Sequence, residues 1–178
     1  ELANWPGIGL AVQAYGKRAV PVLRWLKRLA ETTRRTIPVR LVKGAYWDSE
    51  IKRAQERGLP GYPVFTAKTH TDVSYLACMR FLLGDTRAFY PQLATHNAHT
   101  IAAAHVAGGT LSFEMQRLHG MGEALYEDVV SKSGLARRCR VYAPVGSHED
   151  LLPYLVRRLL ENGANTSFVN RLADDDMP

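Results

Sequence analysis

The chain of 178 residues is long enough to bury one sizeable hydrophobic core. Its hydrophobic content of 46% and charged content of 22% are ordinary for a globular protein, and no apolar run approaches the length of a membrane-spanning helix. The net charge of +6 comes from basic residues scattered along the chain without a nucleic-acid-binding motif, so we expect no direct nucleic-acid binding by this segment.

Segments typical of strands alternate with segments typical of helices along the chain. The predicted strands cover 8–13, 38–44, 92–96, 111–116 and 141–145. The predicted helices cover 19–33, 47–57, 71–83, 98–107 and 123–132. In the first helix, the expected buried face carries Val22, Leu23, Leu26 and Leu29. A sixth helix is expected to have its cap no earlier than Asp150, because Pro153 lacks an N–H, and to end at Gly163.

This alternation predicts an α/β fold with a parallel sheet. Five units fit the C-terminal part of a parallel (β/α)8 TIM-type barrel, which usually needs about 250 residues, with about three N-terminal units missing. The predicted domain is therefore residues 1–178, as the C-terminal portion of such a barrel. The alternative is a complete, doubly wound domain of five strands, which requires a glycine-rich loop after its first strand. Here Gly7 and Gly9 lie before and at the start of that strand, not after it.

Polar side chains concentrate near the predicted C-terminal ends of the strands, where α/β folds build their sites. They are Gln13, Lys43, Tyr46, Thr95, His96, Asn97, Gln116 and Tyr142. In the second strand, the alternation of side chains points Arg40 into the barrel. This burial needs an accepting partner, which a bound cofactor or a carboxylate on a neighbouring strand would provide. Gly44, on the same face, would let a ligand approach the backbone closely.

The sixth predicted helix has an apolar half and a polar half when its residues are placed at intervals of about 100°. The polar half carries Tyr154, Arg157, Arg158 and Glu161. Two arginines can hold a carboxylate through planar, bidentate forks, so this face is a candidate anion site. The simpler interpretation is a solvated face on which Arg157 and Glu161 form an ordinary i,i+4 pair.

Two histidines leave a second function open. His96 and His99 have a spacing found in metal sites, and metal-dependent hydrolases also use barrels. Because no further group completes a convincing ligand set, we expect no metal, and a barrel hydrolase stays an alternative hypothesis.

Five sequence blocks occur in the order of a known family. They are GLAVQAY at 9–15, RLVKGAYWD at 40–48, ATHNAH at 94–99, LHGMGE at 118–123 and RVYAPVGSHEDLLPYLVRRLLENGANTSFVNR at 140–171. On these blocks the chain resembles the proline dehydrogenase barrel of the bifunctional proline utilization A flavoenzymes. The resemblance implies FAD-dependent oxidation of L-proline to 1-pyrroline-5-carboxylate with electrons passed to a quinone, the first step of proline catabolism to glutamate.

The resemblance also assigns roles to residues of this chain. The implied catalytic residues are Arg40, Tyr142 and Glu161. The implied substrate-binding residues are Arg157, Arg158, Tyr46, Leu118 and Tyr142. The implied FAD-binding residues are Gln13, Arg40, Val42, Lys43, Gly44, Ala45, Trp47, Thr66, Lys68, Thr95, His96, Gln116, Ser167 and Phe168.

For the parent protein, the resemblance implies a C-terminal pyrroline-5-carboxylate dehydrogenase domain. It also implies a cytoplasmic location with peripheral contact to the inner membrane. The family uses a lysine and an aspartate on earlier barrel strands, and those strands are expected to be absent here. A non-catalytic half-barrel fragment therefore remains a further alternative.

Overall fold

A computed structural model describes residue 5 and residues 7–165, with the backbone alone for 159–165. The strands are β1 (Leu10–Gln13), β2 (Ile37–Val42), β3 (Phe89–Ala94), β4 (Glu114–Leu118) and β5 (Arg138–Tyr142). The helices are α1 (Ala19–Thr33), α2 (Trp47–Glu56), α3 (Lys68–Leu83), α4 (Ala98–Gly108), α5 (Glu123–Val130) and α6 (His148–Asn165). All the predicted elements occur; α1 has the predicted boundaries, and those of the other elements are shifted.

The five strands form one parallel sheet in the order β1-β2-β3-β4-β5. Strands that neighbour each other in sequence also neighbour each other in the sheet, as they do around a barrel. A doubly wound sheet reverses its strand order at a switch point, and this sheet does not. The predicted parallel pairing is confirmed, and the doubly wound alternative is wrong.

The hydrophobic core lies between one face of the sheet and the helices. Strand residues such as Val39, Leu41 and Leu93 pack there with Leu23 and Leu26 of α1, and all five are fully buried. This packing fixes the positions of the strands, and with them the side chains at the strand ends.

The face of α1 that packs on this core differs from the predicted one. Its buried residues are Ala19, Leu23, Leu26 and Ala30, whereas Val22 and Leu29 are 39% and 37% exposed. The two alanines complete a stripe with helical spacing, and their small side chains let the helix lie close to the sheet. Side-chain size, and not hydrophobicity alone, selected the buried face.

The opposite face of the sheet, here called the inner face, is unusually polar. Arg40 pairs in register with Gln92, and Gln92 pairs in register with Glu114. Residues paired in register point to the same side of a sheet, and so do residues two apart along a strand. Gln116 and Leu118 of β4 therefore join Glu114 on the inner face, towards the C-terminal end of the strand.

β4 begins three residues later than predicted, at Glu114, and β5 begins three residues earlier than predicted, at Arg138. β5 begins at Arg138, which lies opposite Glu114 in register, and its arginines alternate with Cys139. The sequence pattern favoured the apolar run after Val141 because strands usually bury apolar residues. In this sheet the charged residues of β5 face Glu114, so the basic run is part of the strand.

The chain divides into two compact units, residues 1–142 and 143–178. In the second unit, the Ser147 hydroxyl donates to Asp150 Oδ2 at 2.8 Å and accepts from the Asp150 N–H at 3.3 Å. Ser147 therefore caps α6, three residues before the expected cap. Pro153 consequently lies inside the helix, where it leaves one carbonyl without a helical donor. The helix also continues past Gly163 to Asn165, so both predicted ends were wrong.

No helix in the described part of the chain is long and apolar enough to cross a membrane.

Candidate functional site

Two lysines converge on one carboxylate where β2 ends and α3 begins. Lys43 Nζ lies 2.5 Å from Asp72 Oδ1, and Lys68 Nζ lies 2.6 Å from Asp72 Oδ2. Burial alone would raise the pKa of Asp72, but the hydrogen bonds from both lysines outweigh it and hold this pKa below its usual range. The trio has a net charge of +1 and fixes two ammonium groups side by side, an arrangement suited to an anion with several oxygens.

Asp72 was not singled out from the sequence. A signal for it existed, because Asp72 lies four residues after Lys68 on a helix, which is the spacing of an intrahelical ion pair. The bond from Lys43 could not be anticipated in this way, since it joins residues 29 positions apart.

Arg40 lies on the inner face, as the alternation predicted. Its guanidinium carbon is 4.1 Å from the centre of the Tyr142 ring, within cation–π range. Its Nε atom is buried and has no hydrogen-bond partner among the residues that the structure describes. The carboxylate on this face of the sheet is Glu114, which lies two strands away from Arg40 on β4 and pairs with Arg140 instead. Arg40 therefore retains a buried donor suited to an acceptor from outside the chain.

The loop after β2 is held by β1. The side-chain oxygen of Gln13 accepts a hydrogen bond from the Ala45 N–H at 3.2 Å. Gly44 adopts φ +144°, and a Cβ atom there would lie 2.5 Å from the Tyr15 ring. Gly44 is thus required for close packing against Tyr15.

The aromatic residues that follow are on the surface of the first unit. Tyr46 and Trp47 are 46% and 41% exposed, and the Trp47 indole N–H donates to the Phe65 carbonyl at 2.8 Å. This bond ties the start of α2 to the connection that leads to Thr66. Val42 pairs in register with Gln13 and is half-buried.

The ends of β3 and β4 are locked together by side chains from both. His96 Nε2 accepts a hydrogen bond from the Leu118 N–H at 3.0 Å. The buried Tyr126 hydroxyl of α5 lies 2.7 Å from the Thr95 carbonyl and 3.0 Å from the Gln116 carbonyl. Burial raises the pKa of Tyr126, so it stays protonated and able to donate. These contacts bring Thr95, His96 and Gln116 into one cluster, as predicted.

Leu118 and Tyr142 were predicted to contact the same ligand, and they are paired in register on β4 and β5. Leu118 is only 1% exposed, whereas Tyr142 is half-buried beneath Arg40. Tyr142 therefore exposes more of its side chain to a ligand than Leu118 does.

A second charged cluster, centred on Glu114, occupies the inner face below these residues. Arg140 donates to both oxygens of the carboxylate through Nε (2.7 Å) and Nη2 (2.9 Å). Gln92, Gln116 and the Tyr90 hydroxyl donate to it as well. This cluster was not predicted from the sequence, although Glu114 lies two residues before Gln116 and so faces the same side.

In the second unit, Arg157 and Arg158 are both half-buried. The Arg158 guanidinium carbon lies 5.2 Å from the centre of the Tyr154 ring. Arg158 and Tyr154 are therefore on one side of α6, as the helical wheel predicted. The side chain of Glu161 and the residues Ser167 and Phe168 lie outside what the structure describes.

The two histidines proposed as metal ligands have separate roles. His96 Nε2 is engaged by a backbone N–H, and His99 is exposed in the first turn of α4. Asn97 between them caps that helix, accepting from the Thr100 N–H at 2.9 Å. Within the described residues, no group of three His, Cys, Asp or Glu side chains could hold a metal ion.

Comparison with known proteins gives one consistent result. A family model described as proline dehydrogenase matches residues 1–171. The bifunctional protein PutA of Salmonella typhimurium is 62% identical over 185 residues, which cover 100% of this chain and 14% of that protein. The hydroxyproline dehydrogenase of Bos taurus is 31% identical over 166 residues, covering 88% of this chain and 35% of the relative.

A solved structure agrees with the fold. The crystal structure of a mutant of Bradyrhizobium japonicum proline utilization A (PutA) superposes with a TM-score of 0.86 at 57% identity, covering 99% of this chain and 19% of that one. The likeness confirms the predicted α/β fold as part of a (β/α)8 barrel. The chain thus spans 14% of the length of the bifunctional relative it matches.

Proposed function

Because the chain belongs to the proline dehydrogenase family, we propose that it is part of an FAD-dependent enzyme that oxidises L-proline to 1-pyrroline-5-carboxylate. The observation that carries the proposal, beyond family membership, is the buried Arg40 Nε atom with no acceptor among the described residues. A buried cation of this kind is stabilised when a ligand supplies an acceptor and gains negative charge.

The described residues fit FAD. Lys43 and Lys68 form a fixed pair of ammonium groups suited to a phosphate, and Arg40 provides a buried donor suited to the flavin ring. The residues proposed to hold FAD are Gln13, Arg40, Val42, Lys43, Gly44, Ala45, Trp47, Thr66, Lys68, Thr95, His96, Gln116, Ser167 and Phe168. When bound, FAD would accept a hydride from the substrate and deliver its two electrons to a quinone.

The proposed substrate residues divide by chemistry. Arg157 and Arg158 bind the proline carboxylate, for which a planar guanidinium offers a bidentate fork. Tyr46, Leu118 and Tyr142 provide apolar surface for the pyrrolidine ring, and Glu161 orients the site. The substrate loses a hydride from the ring CH2 beside its nitrogen and a proton from the nitrogen. These residues act by holding that CH2 in one orientation while water is excluded.

For the whole protein, we propose a second catalytic domain that oxidises the product further. Its relatives are named bifunctional, a word that indicates a second function in them. We also propose a cytoplasmic protein that contacts the inner membrane peripherally, because a quinone acceptor resides in a membrane.

The proposal is tested with the full-length protein that carries this chain. We expect about one FAD per polypeptide, identified by its absorbance and by chromatography after denaturation, and L-proline-dependent reduction of a soluble quinone. A full-length protein that binds no FAD after reconstitution would contradict the proposal.

The same assay on residues 1–178 alone examines the fragment alternative. FAD binding and proline oxidation by the full-length protein, but not by the segment, would show that the segment contributes residues without being an enzyme by itself. Zinc or iron in stoichiometric amounts, with hydrolase activity and no flavin, would favour the barrel hydrolase.

A further inference from the structure

The carboxylate of Glu114 has no role in the chemistry proposed above, although it is one of the most highly bonded groups of the sheet. The residue is 4% exposed. Its Oε1 accepts from Gln92 Nε2 at 3.1 Å, from Gln116 Nε2 at 2.7 Å and from Arg140 Nε at 2.7 Å. Its Oε2 accepts from the Tyr90 hydroxyl at 3.2 Å and from Arg140 Nη2 at 2.9 Å.

These contacts make Glu114 a poor proton acceptor. Five donors occupy a carboxylate that offers about four lone-pair positions. Burial alone would raise the pKa of Glu114, but the hydrogen bonds from Arg140 and Gln116 outweigh it and lower this pKa. The group remains ionised and saturated, so its role is to orient its partners.

The partner that matters most is Gln116. An ionised carboxylate only accepts hydrogen bonds, so Gln116 must turn its NH2 group towards Glu114 and its side-chain oxygen away. Among the described residues, the side-chain hydrogen bond of Gln116 is made by its NH2 group and not by its oxygen. The Gln116 side chain as a whole is 4% exposed. β4 therefore carries an amide acceptor of fixed direction.

We propose that Glu114 is a positioning residue, which fixes the Gln116 amide so that its oxygen accepts a hydrogen bond from a ring N–H of the cofactor. The inference rests on the proposed function, and it names the group recognised, because the oxidised flavin ring has a single N–H donor, at N3. Arg140 supports this role by balancing the Glu114 charge, so that no net negative charge is added beside the cofactor.

The experiment measures FAD affinity in the full-length protein after removal and re-addition of the cofactor. Glu114→Gln keeps the size of the side chain but can present either an oxygen or an NH2 group to Gln116, so the fixed orientation is lost. We expect the Kd for FAD to rise about tenfold, the effect of one poorly made hydrogen bond. The matched control is Tyr90→Phe, which removes a donor from the other carboxylate oxygen and leaves Gln116 held. Its Kd should stay within about twofold of wild type.

A double-mutant cycle separates positioning from general structural support. If Glu114 acts through Gln116, Glu114→Gln should have no further effect on the Kd in a Gln116→Ala background. An equal effect in both backgrounds would overturn the proposal.

A cofactor analogue gives a second readout that needs no variant. FAD methylated at N3 lacks the ring N–H, and we expect it to bind wild-type protein about tenfold more weakly than FAD. In Glu114→Gln, which retains the space around residue 116, the ratio of the two Kd values, for methylated FAD and for FAD, should fall to near one. Equal affinity of wild-type protein for both forms would overturn the role of Glu114 while leaving the proposed function intact. A full-length protein that binds neither form would overturn both.

Discussion

Replacing Arg40 by methionine in the full-length protein should weaken cofactor binding while leaving the stability of the cofactor-free protein almost unchanged. The substitution removes the cation–π contact with Tyr142, at 4.1 Å, which is worth about 1–2 kcal/mol in a partly desolvated position. It also removes a buried Nε donor that has no partner among the described residues, which costs about 1–3 kcal/mol in the folded state. The two effects oppose each other, so their sum should be within about 1 kcal/mol of zero.

In the protein with FAD bound, the same substitution should have a measurable effect. With FAD bound, Arg40 donates a charge-assisted hydrogen bond worth about 1.5–3 kcal/mol, so the Kd for FAD should rise roughly tenfold to one hundredfold in Arg40→Met. Loss of a positive charge beside a ring that gains negative charge should also lower the flavin midpoint potential. Arg40→Lys is the matched control, because it retains the charge without the planar fork, and it should lie between wild type and Arg40→Met in both measurements.

The assay combines melting of the FAD-stripped protein with fluorescence titration of FAD and a spectroscopic redox titration. The reasoning would be refuted if Arg40→Met lowered the melting temperature of the stripped protein by more than about 10 °C while the Kd and the potential stayed at their wild-type values, because that pattern describes a structural arginine.

Three other substitutions test separate parts of the account. Asp72→Asn should destabilise the protein by about 1 kcal/mol at pH 7, the sum of two partly exposed ion pairs. Since the pKa of Asp72 is lowered in the folded state, the difference from wild type should persist above about pH 5 and vanish as the pH falls through that lowered value; a difference independent of pH would exclude the ion pairs as its cause. Tyr126→Phe removes a buried hydroxyl bonded to two strand carbonyls, so melting should show a loss of about 1–2 kcal/mol, and unchanged stability would argue against the observed contacts. Arg157→Met and Arg158→Met should each weaken proline binding by about 2–4 kcal/mol, measured by flavin reduction, with little change in flavin content; wild-type proline affinity in both would leave the pair as a solvated surface.

The sequence predicted the order and type of the elements well because the helices and strands have distinct periodicities. Both ends of α1 were predicted correctly, and in the structure the helix ends before Arg34, which adopts the left-handed conformation that stops a helix. α6 was less predictable. Pro153 is compatible with a helix interior, and Gly163 does not end the helix, because neither residue decides a boundary alone.

The candidate site could be predicted where its residues lie at strand ends or, like Arg40, follow the alternation of side chains along a strand. Thr95, His96 and Gln116 are brought together as expected, since parallel strands finish at one edge of the sheet. The partners of these residues could not be predicted, because they depend on register. Glu114 meets Arg140 only because β4 and β5 pair with Gln116 opposite Arg140, and no local pattern specifies that alignment.

The role of Gly44 illustrates the same limit. The sequence indicated that Gly44 permits a close approach to the backbone, and in the structure an aromatic ring lies so close that a Cβ atom would be only 2.5 Å from it. The sequence could not identify the ring as Tyr15, because the contact depends on how β1 lies beside β2.

The most direct measurement of the central claim is an anaerobic titration of the full-length protein with L-proline, followed by flavin absorbance. We predict loss of the oxidised flavin band, together with formation of one 1-pyrroline-5-carboxylate for each FAD reduced, since each substrate surrenders two electrons. An oxidised flavin spectrum that does not change at saturating L-proline, in protein shown to be folded and loaded with FAD, would contradict the account.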